Sequence, residues 1–171
     1  MLNQMKITLL GTGTSQGVPV IACDCQVCKS NNTKDNRLRS SVMIEVKGQI
    51  FVIDTGPDFR QQMLRENMQR VDAVIFTHHH KDHVAGMDDI RAFNHKWRKD
   101  MDVFCNSITE KALRKEFPYI FSDVQYPGIP KINIKLFNND KFNINNIDIT
   151  PIQAQHYLLP VFGFRIYNFV Y

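Results

Sequence analysis

Residues 76–86 read FTHHHKDHVAG, a stretch in which four histidines and an aspartate occupy six positions. The apolar run VDAVIF leads into it and predicts a strand. VAGMDDIRAFN follows, with Val84, Met87, Ile90 and Arg91 at helical spacing, which predicts a helix starting close to His83. Side chains alternate along an extended segment, so His78 and His80 share a face and His79 points away from it. A turn into the helix then brings Asp82 and His83 round beside them. Imidazole suits Zn²⁺ and related ions, and carboxylate suits harder ions such as Mn²⁺, so the pattern reads as two adjacent groups of metal ligands without His79.

Outward from this stretch the chain alternates strands and helices. KITLL runs into the turn GTGTSQG, and SVMIEV and IFVID flank KGQ as a hairpin, with Val42, Ile44 and Val46 on one face. A helix is predicted from Phe59, with Met63, Leu64 and Asn67 on the same side. Another is predicted over SITEKALRKEF, where Ser107 and Glu110 stand at capping-box spacing. DVFC between the later helices, then INIKLF, KFNI, IDITPI and GFRIYNFVY, read as strands. This order favours a layered α/β domain over an all-β one.

The chain has 171 residues, 43% of them hydrophobic, which suits one domain. Lysine and arginine number 21 against 17 acids, a net charge of +4 that favours an anionic substrate without requiring nucleic acid. No run is long enough to span a membrane and ITLL is too short for a signal peptide, so a cytoplasmic location is expected. Cys23, Cys25 and Cys28 lie too close in CDCQVC to pair with one another, and metal binding is the leading reading. Cys105 reads as a small buried hydrophobe. Asp54, in IDTGPD, is on position alone equally a turn residue or a partner of the histidines, and His156 on its own reads as structural. Arg37, Arg39 and Arg91 could meet phosphate, but surface solvation is the favoured reading.

His78, His80, Asp82 and His83 match the H-x-H-x-D-H signature, and the sequence resembles the metallo-β-lactamase superfamily. TGTSQGVP and IDTGPD resemble its early loop and its Asp-bearing strand end. The resemblance implies a four-layer αβ/βα sandwich, of which residues 1–171 supply the first half and the start of the second. It implies one metal on His78, His80 and His156, another on Asp82 and His83, and Asp54 orienting a metal-bound histidine from behind. C-x-C-x-x-C after the first strand resembles the phosphoribosyl cyclic phosphodiesterase branch, where three such cysteines bind a structural zinc. RLRSSVMIE and GMDDIRAFN resemble a bacterial group of hydrolases related to that branch.

The implied activity is a phosphodiesterase acting on a small, cyclic phosphate ester. Hydroxide activated by two divalent ions, Zn²⁺ or Mn²⁺, would attack phosphorus, with Asp82 as the catalytic residue that orients it. The resemblance also implies that a bridging aspartate, a last histidine and a fourth structural-zinc ligand fall beyond Tyr171, so the domain is expected to be incomplete, with exposed apolar surface and poor solubility. An RNA-processing nuclease and a noncatalytic metal-binding remnant are the alternatives. A small phosphate ester is the expected partner, and homo-oligomerisation stays open.

Overall fold

The computed structural model describes residues 4–124 and 126–171. Six strands, β1 (Lys6–Gly11), β2 (Ser41–Val46), β3 (Gln49–Ile53), β4 (Ala73–Ile75), β5 (Met101–Cys105) and β6 (Ile132–Leu136), form the first sheet in sequence order. The first three pair antiparallel and the last four parallel. A second, antiparallel sheet has the order β10-β9-β8-β7, from β7 (Phe142–Ile144), β8 (Ile147–His156), β9 (Leu159–Ile166) and β10 (Phe169–Val170).

The alternation seen in the sequence sorts side chains onto the two faces of the first sheet, and both faces are buried. Val42, Ile44, Phe51, Ile53, Ile75 and Phe104 point between the sheets, where they meet Ile147, Ile149, Phe162, Phe164 and Ile166. Met43, Val52, Val74, Val103 and Cys105 point the other way, toward the helices. α1 (Phe59–Arg65), α2 (Lys81–Val84), α3 (Arg91–Trp97) and α4 (Ser107–Glu116) cover that second face with Phe59, Met63, Val84, Phe93 and Leu113. Helices, sheet and sheet are thus three of the layers expected of the αβ/βα sandwich. Cys105 is fully buried, and burial pushes its thiol up to about 12, as befits a core residue.

Three local expectations change. The N-cap of α4 is Asn106, whose Oδ1 accepts from the Thr109 amide at 2.8 Å, so Ser107 is the first helical residue and not the cap. The helix expected near His83 is split into α2, a 3₁₀ turn (Met87–Ile90) and α3, because the Gly86 amide donates to Thr55 O at 2.8 Å instead of continuing the helical ladder. Leu64 is 62% exposed while Gln62 is buried, so the inward side of α1 is Phe59, Gln62 and Met63. The hairpin turn is the two-residue pair Lys47–Gly48, which sets the register Val46↔Gln49. Among the described residues no helix is long and apolar enough to cross a membrane.

Candidate metal centre

Parallel β3 and β4 end side by side, and the residues just past their carboxyl ends build the site. Asp54 follows β3 with φ +64, and its amide donates to Ile75 O at 3.0 Å. This turn aims its carboxylate along the end of β4. Asp54 is fully buried, and its oxygens accept from the Thr77 amide at 2.8 Å, the Thr77 hydroxyl at 2.8 Å and His83 Nδ1 at 2.7 Å. Three donors compensate the desolvation of the carboxylate.

The network fixes the two imidazoles as well as their neighbours. Thr77 Oγ1 donates to Asp54 and lies 2.9 Å from His78 Nδ1, so the consistent proton assignment has His78 Nδ1–H donating to Thr77. His83 Nδ1–H donates to Asp54 directly. In the neutral rings Nε2 is therefore the lone-pair atom, and that of His83 lies 3.1 Å from Asp82 Oδ2, to which it donates when the ring is protonated. Burial, and then the neighbouring His83, His80 and His156, lower the His78 pKa to about 3, so its lone pair is available at neutral pH. For His83 burial acts in the same direction, but the hydrogen bond and charge of Asp54 and the charge of Asp82 outweigh it and raise the pKa.

α2 is held against the Asp54 turn by close backbone approach. The Thr55 amide donates to His83 O at 2.8 Å, and a Cβ on Gly56 would lie 2.1 Å from Asp82 O. Only glycine fits there. The second sheet supplies the opposite wall: the Phe162 amide donates to Thr77 O at 3.1 Å, and His156 ends β8 opposite Leu159. The rings of His78 and His80 are 4.7 Å apart, those of His78 and His83 4.1 Å, and those of His80 and His156 5.3 Å. They surround a cavity of about 750 Å³, lined also by Asp82, Ser15, Thr77, Val161, Phe162, Gly163 and Tyr171.

All five expected ligands, His78, His80, Asp82, His83 and His156, thus meet at one cavity, and His79 does not line it. The donor set suits divalent ions: four imidazoles, two of which, His78 and His83, are tied back through Nδ1, with a carboxylate beside them. Thr77 is not singled out by the sequence, although it precedes the first histidine. Ser15 lies within TGTSQGVP, the early loop noted for its resemblance, but is not singled out there, and the lining by Tyr171 carries no local sequence signal.

The arginines are occupied by the protein itself. Arg37 Nη1 donates to Thr12 Oγ1 at 2.9 Å, Arg39 pairs with Asp58 at 3.0 Å, and Arg91 pairs with Asp88 at 2.8 Å. The cysteines do converge: the sulfurs of Cys23, Cys25 and Cys28 lie within 4.8 Å of one another. The Cys28 amide, 3.4 Å from Cys25 Sγ, and then the Cys23 and Cys28 thiols hold the Cys25 pKa down to about 7. The Val20 amide favours the Cys28 thiolate, yet the adjoining sulfurs and desolvation outweigh it and raise that pKa. A thiolate at neutral pH beside two more thiols fits a soft ion such as Zn²⁺.

Two facing sheets with helices on one side, and a histidine–carboxylate cluster at the strand ends, define the metallo-β-lactamase fold. Residues 49–171 match the family described as β-lactamase superfamily domain, and the chain belongs to that superfamily. It is 37% identical over 164 residues to a protein of Porphyromonas gingivalis named octanoyltransferase, a match to 95% of this chain and 33% of that protein. Among solved structures it is similar to a diphosphatase of the PhnP family, with 34% identity and a TM-score of 0.86 over 95% of this chain and 62% of that one. The Zn²⁺-bound PqqB of Methylobacterium extorquens shares the fold at 19% identity and a TM-score of 0.68, over 95% of this chain and 61% of that one. The chain therefore spans from a third to under two thirds of the length of these relatives.

Proposed function

We propose that the protein is a metal-dependent hydrolase of phosphodiesterase type, acting on a small, cyclic phosphate ester. The observation that carries this reading is the tethering of His78 and His83 through Thr77 and Asp54, which aims their Nε2 atoms into the cavity shared with His80, Asp82 and His156. His78, His80 and His156 would hold one divalent ion, and Asp82 and His83 would take part in a second, Zn²⁺ or Mn²⁺. Such ions supply charge stabilisation at phosphoryl oxygens and lower the pKa of bound water.

The chain's own residues orient the reactants. Asp82 would hold the attacking water and orient it toward phosphorus. Val161 and Phe162 give the organic part of the ester an apolar wall. The 34% identity to a PhnP-family diphosphatase supports phosphorus chemistry, whereas the octanoyltransferase name belongs to a protein matched over one third of its length. Cys23, Cys25 and Cys28 would hold a structural zinc together with a fourth ligand, and their need for reduced thiols supports a cytoplasmic location.

The test is hydrolysis of bis(para-nitrophenyl) phosphate, and of a small cyclic phosphodiester, by protein loaded with Zn²⁺ or Mn²⁺. Metal-dependent release of the monoester is expected. Metal binding with no turnover of either compound would instead favour the noncatalytic reading.

A further inference from the structure

The loop between β1 and β2 reaches the cavity at one residue, Ser15, and the protein fixes that residue firmly. The Gly13 amide donates to Leu38 O at 2.7 Å, Val18 and Arg37 exchange backbone hydrogen bonds at 2.8 and 2.9 Å, and Ser40 Oγ donates to Gly13 O at 2.8 Å. A Cβ on Gly13 would lie 2.7 Å from Arg37 O, so the two segments are in backbone contact. At the tip, Arg39 Nε donates to Ser15 O at 2.8 Å. Arg39 is itself held twice by Asp58, through its amide at 2.8 Å and Nη1 at 3.0 Å, while its carbonyl accepts from Gln62 at 3.0 Å. Asp58 and Gln62 belong to the start of α1, so the loop tip is tied to the element that follows the Asp54 turn.

Three hydroxyl side chains line the cavity. That of Thr77 is engaged by Asp54 and His78, and Tyr171, partly buried, packs against the core between the sheets within reach of the Asp54 charge. Ser15 is exposed, and its hydroxyl has no hydrogen-bond partner among the described residues. We infer that Ser15 is a substrate-binding residue, its hydroxyl donating to a non-bridging oxygen of the phosphate ester opposite the histidines, and that Arg39 is a positioning residue that holds Ser15 there through its carbonyl. This rests on the phosphate-ester reading above. A hydroxyl on a fixed loop loses little conformational freedom when it meets its ligand, so its hydrogen bond contributes directly to binding.

The test uses the metal-loaded protein with bis(para-nitrophenyl) phosphate. Ser15→Ala is expected to raise KM roughly tenfold, the worth of one hydrogen bond to a charged group, with kcat, metal content and melting temperature unchanged. Ser15→Thr, which keeps the hydroxyl, should recover part of the loss. Arg39→Gln should raise KM in the same way, and the Ser15→Ala/Arg39→Gln double variant should be no worse than Ser15→Ala alone, because Arg39 acts through Ser15. Asp58→Asn provides the same perturbation if Arg39→Gln fails to fold. Wild-type kinetics in Ser15→Ala, or additive effects in the double variant, would overturn the inference. If the wild type itself turns nothing over, the phosphodiesterase reading fails separately, and inorganic phosphate binding decides: weaker in Ser15→Ala supports the contact, and equal binding overturns it.

Discussion

Replacing Asp54 with asparagine tests the centre through a residue that touches no ion. Asparagine tolerates the left-handed backbone of this position, φ +64, so the change removes charge and an acceptor without adding backbone strain. Oδ1 can still accept from the Thr77 amide. The Oδ2 position, now an amide N–H₂, faces Thr77 Oγ1 and His83 Nδ1, which lie 2.8 and 2.7 Å from it. His83 Nδ1 must then accept, moving its proton to Nε2. Thr77, now accepting from the introduced amide, donates to His78 Nδ1 and moves that proton to Nε2 as well.

Both lone pairs aimed at the cavity are replaced by N–H groups, and binding an ion requires both tautomers to revert. A charge-assisted hydrogen bond is worth about 1.5–3 kcal/mol. That corresponds to roughly a 10- to 100-fold loss of metal affinity, the range typical of residues that orient metal-bound histidines. Competition for Zn²⁺ against a fluorescent chelator measures the loss, and long-range proton–nitrogen NMR reads the tautomers. The reasoning also carries a pH signature in the metal-free protein. The His83 pKa is raised in the folded state, so the stabilisation from its pair with Asp54 is fully present below the unfolded value of 6.5 and is lost as pH rises through the folded value. Asp54→Asn should therefore destabilise the metal-free protein more below pH 6.5 than above the raised folded value. Wild-type zinc affinity with both Nδ1 protons retained would refute the argument.

Asp82→Asn should lower kcat by roughly 10²–10⁴ with little change in melting temperature, measured by phosphodiester turnover and thermal unfolding. In zinc-free protein, iodoacetamide should label Cys25 at a rate that rises through pH ~7 and then levels, while Cys105, pushed up to about 12 in the core, labels only on unfolding; peptide mass spectrometry distinguishes them. Phe164→Ala, at a fully buried position between the sheets, should destabilise by about 3–5 kcal/mol in urea unfolding. Gly56→Ala drives a Cβ to 2.1 Å from Asp82 O, so it should lower both stability and metal content, and a variant with native zinc stoichiometry would contradict the packing described for α2.

Residues close in sequence account for what could be read without a structure. His78, His80, Asp82 and His83 lie within six positions at the end of one strand, and chain geometry alone turns them toward each other. The three cysteines converge for the same reason, and the alternation of Val42, Ile44 and Val46 follows from the pleat. Even nearby, competing hydrogen bonds shifted the details: Asn106 took the cap expected of Ser107, and Thr55 O drew the Gly86 amide out of the helix.

The partners of the cluster come from elsewhere in the chain. Asp54 reaches Thr77 and His83 because β3 and β4 are parallel neighbours ending at one level, and on position alone it is equally a turn residue. His156 enters only because the Phe162 amide binds Thr77 O and brings the second sheet against the end of the first. Ser15 lines the cavity, and Arg39 serves Asp58 and the loop, through contacts that no local pattern encodes. The sequence by itself determined the ligand types and the strand that carries most of them. Sheet order and the packing of the two sheets decided which distant side chains meet those ligands, because such contacts depend on which strand ends lie side by side and not on spacing along the chain.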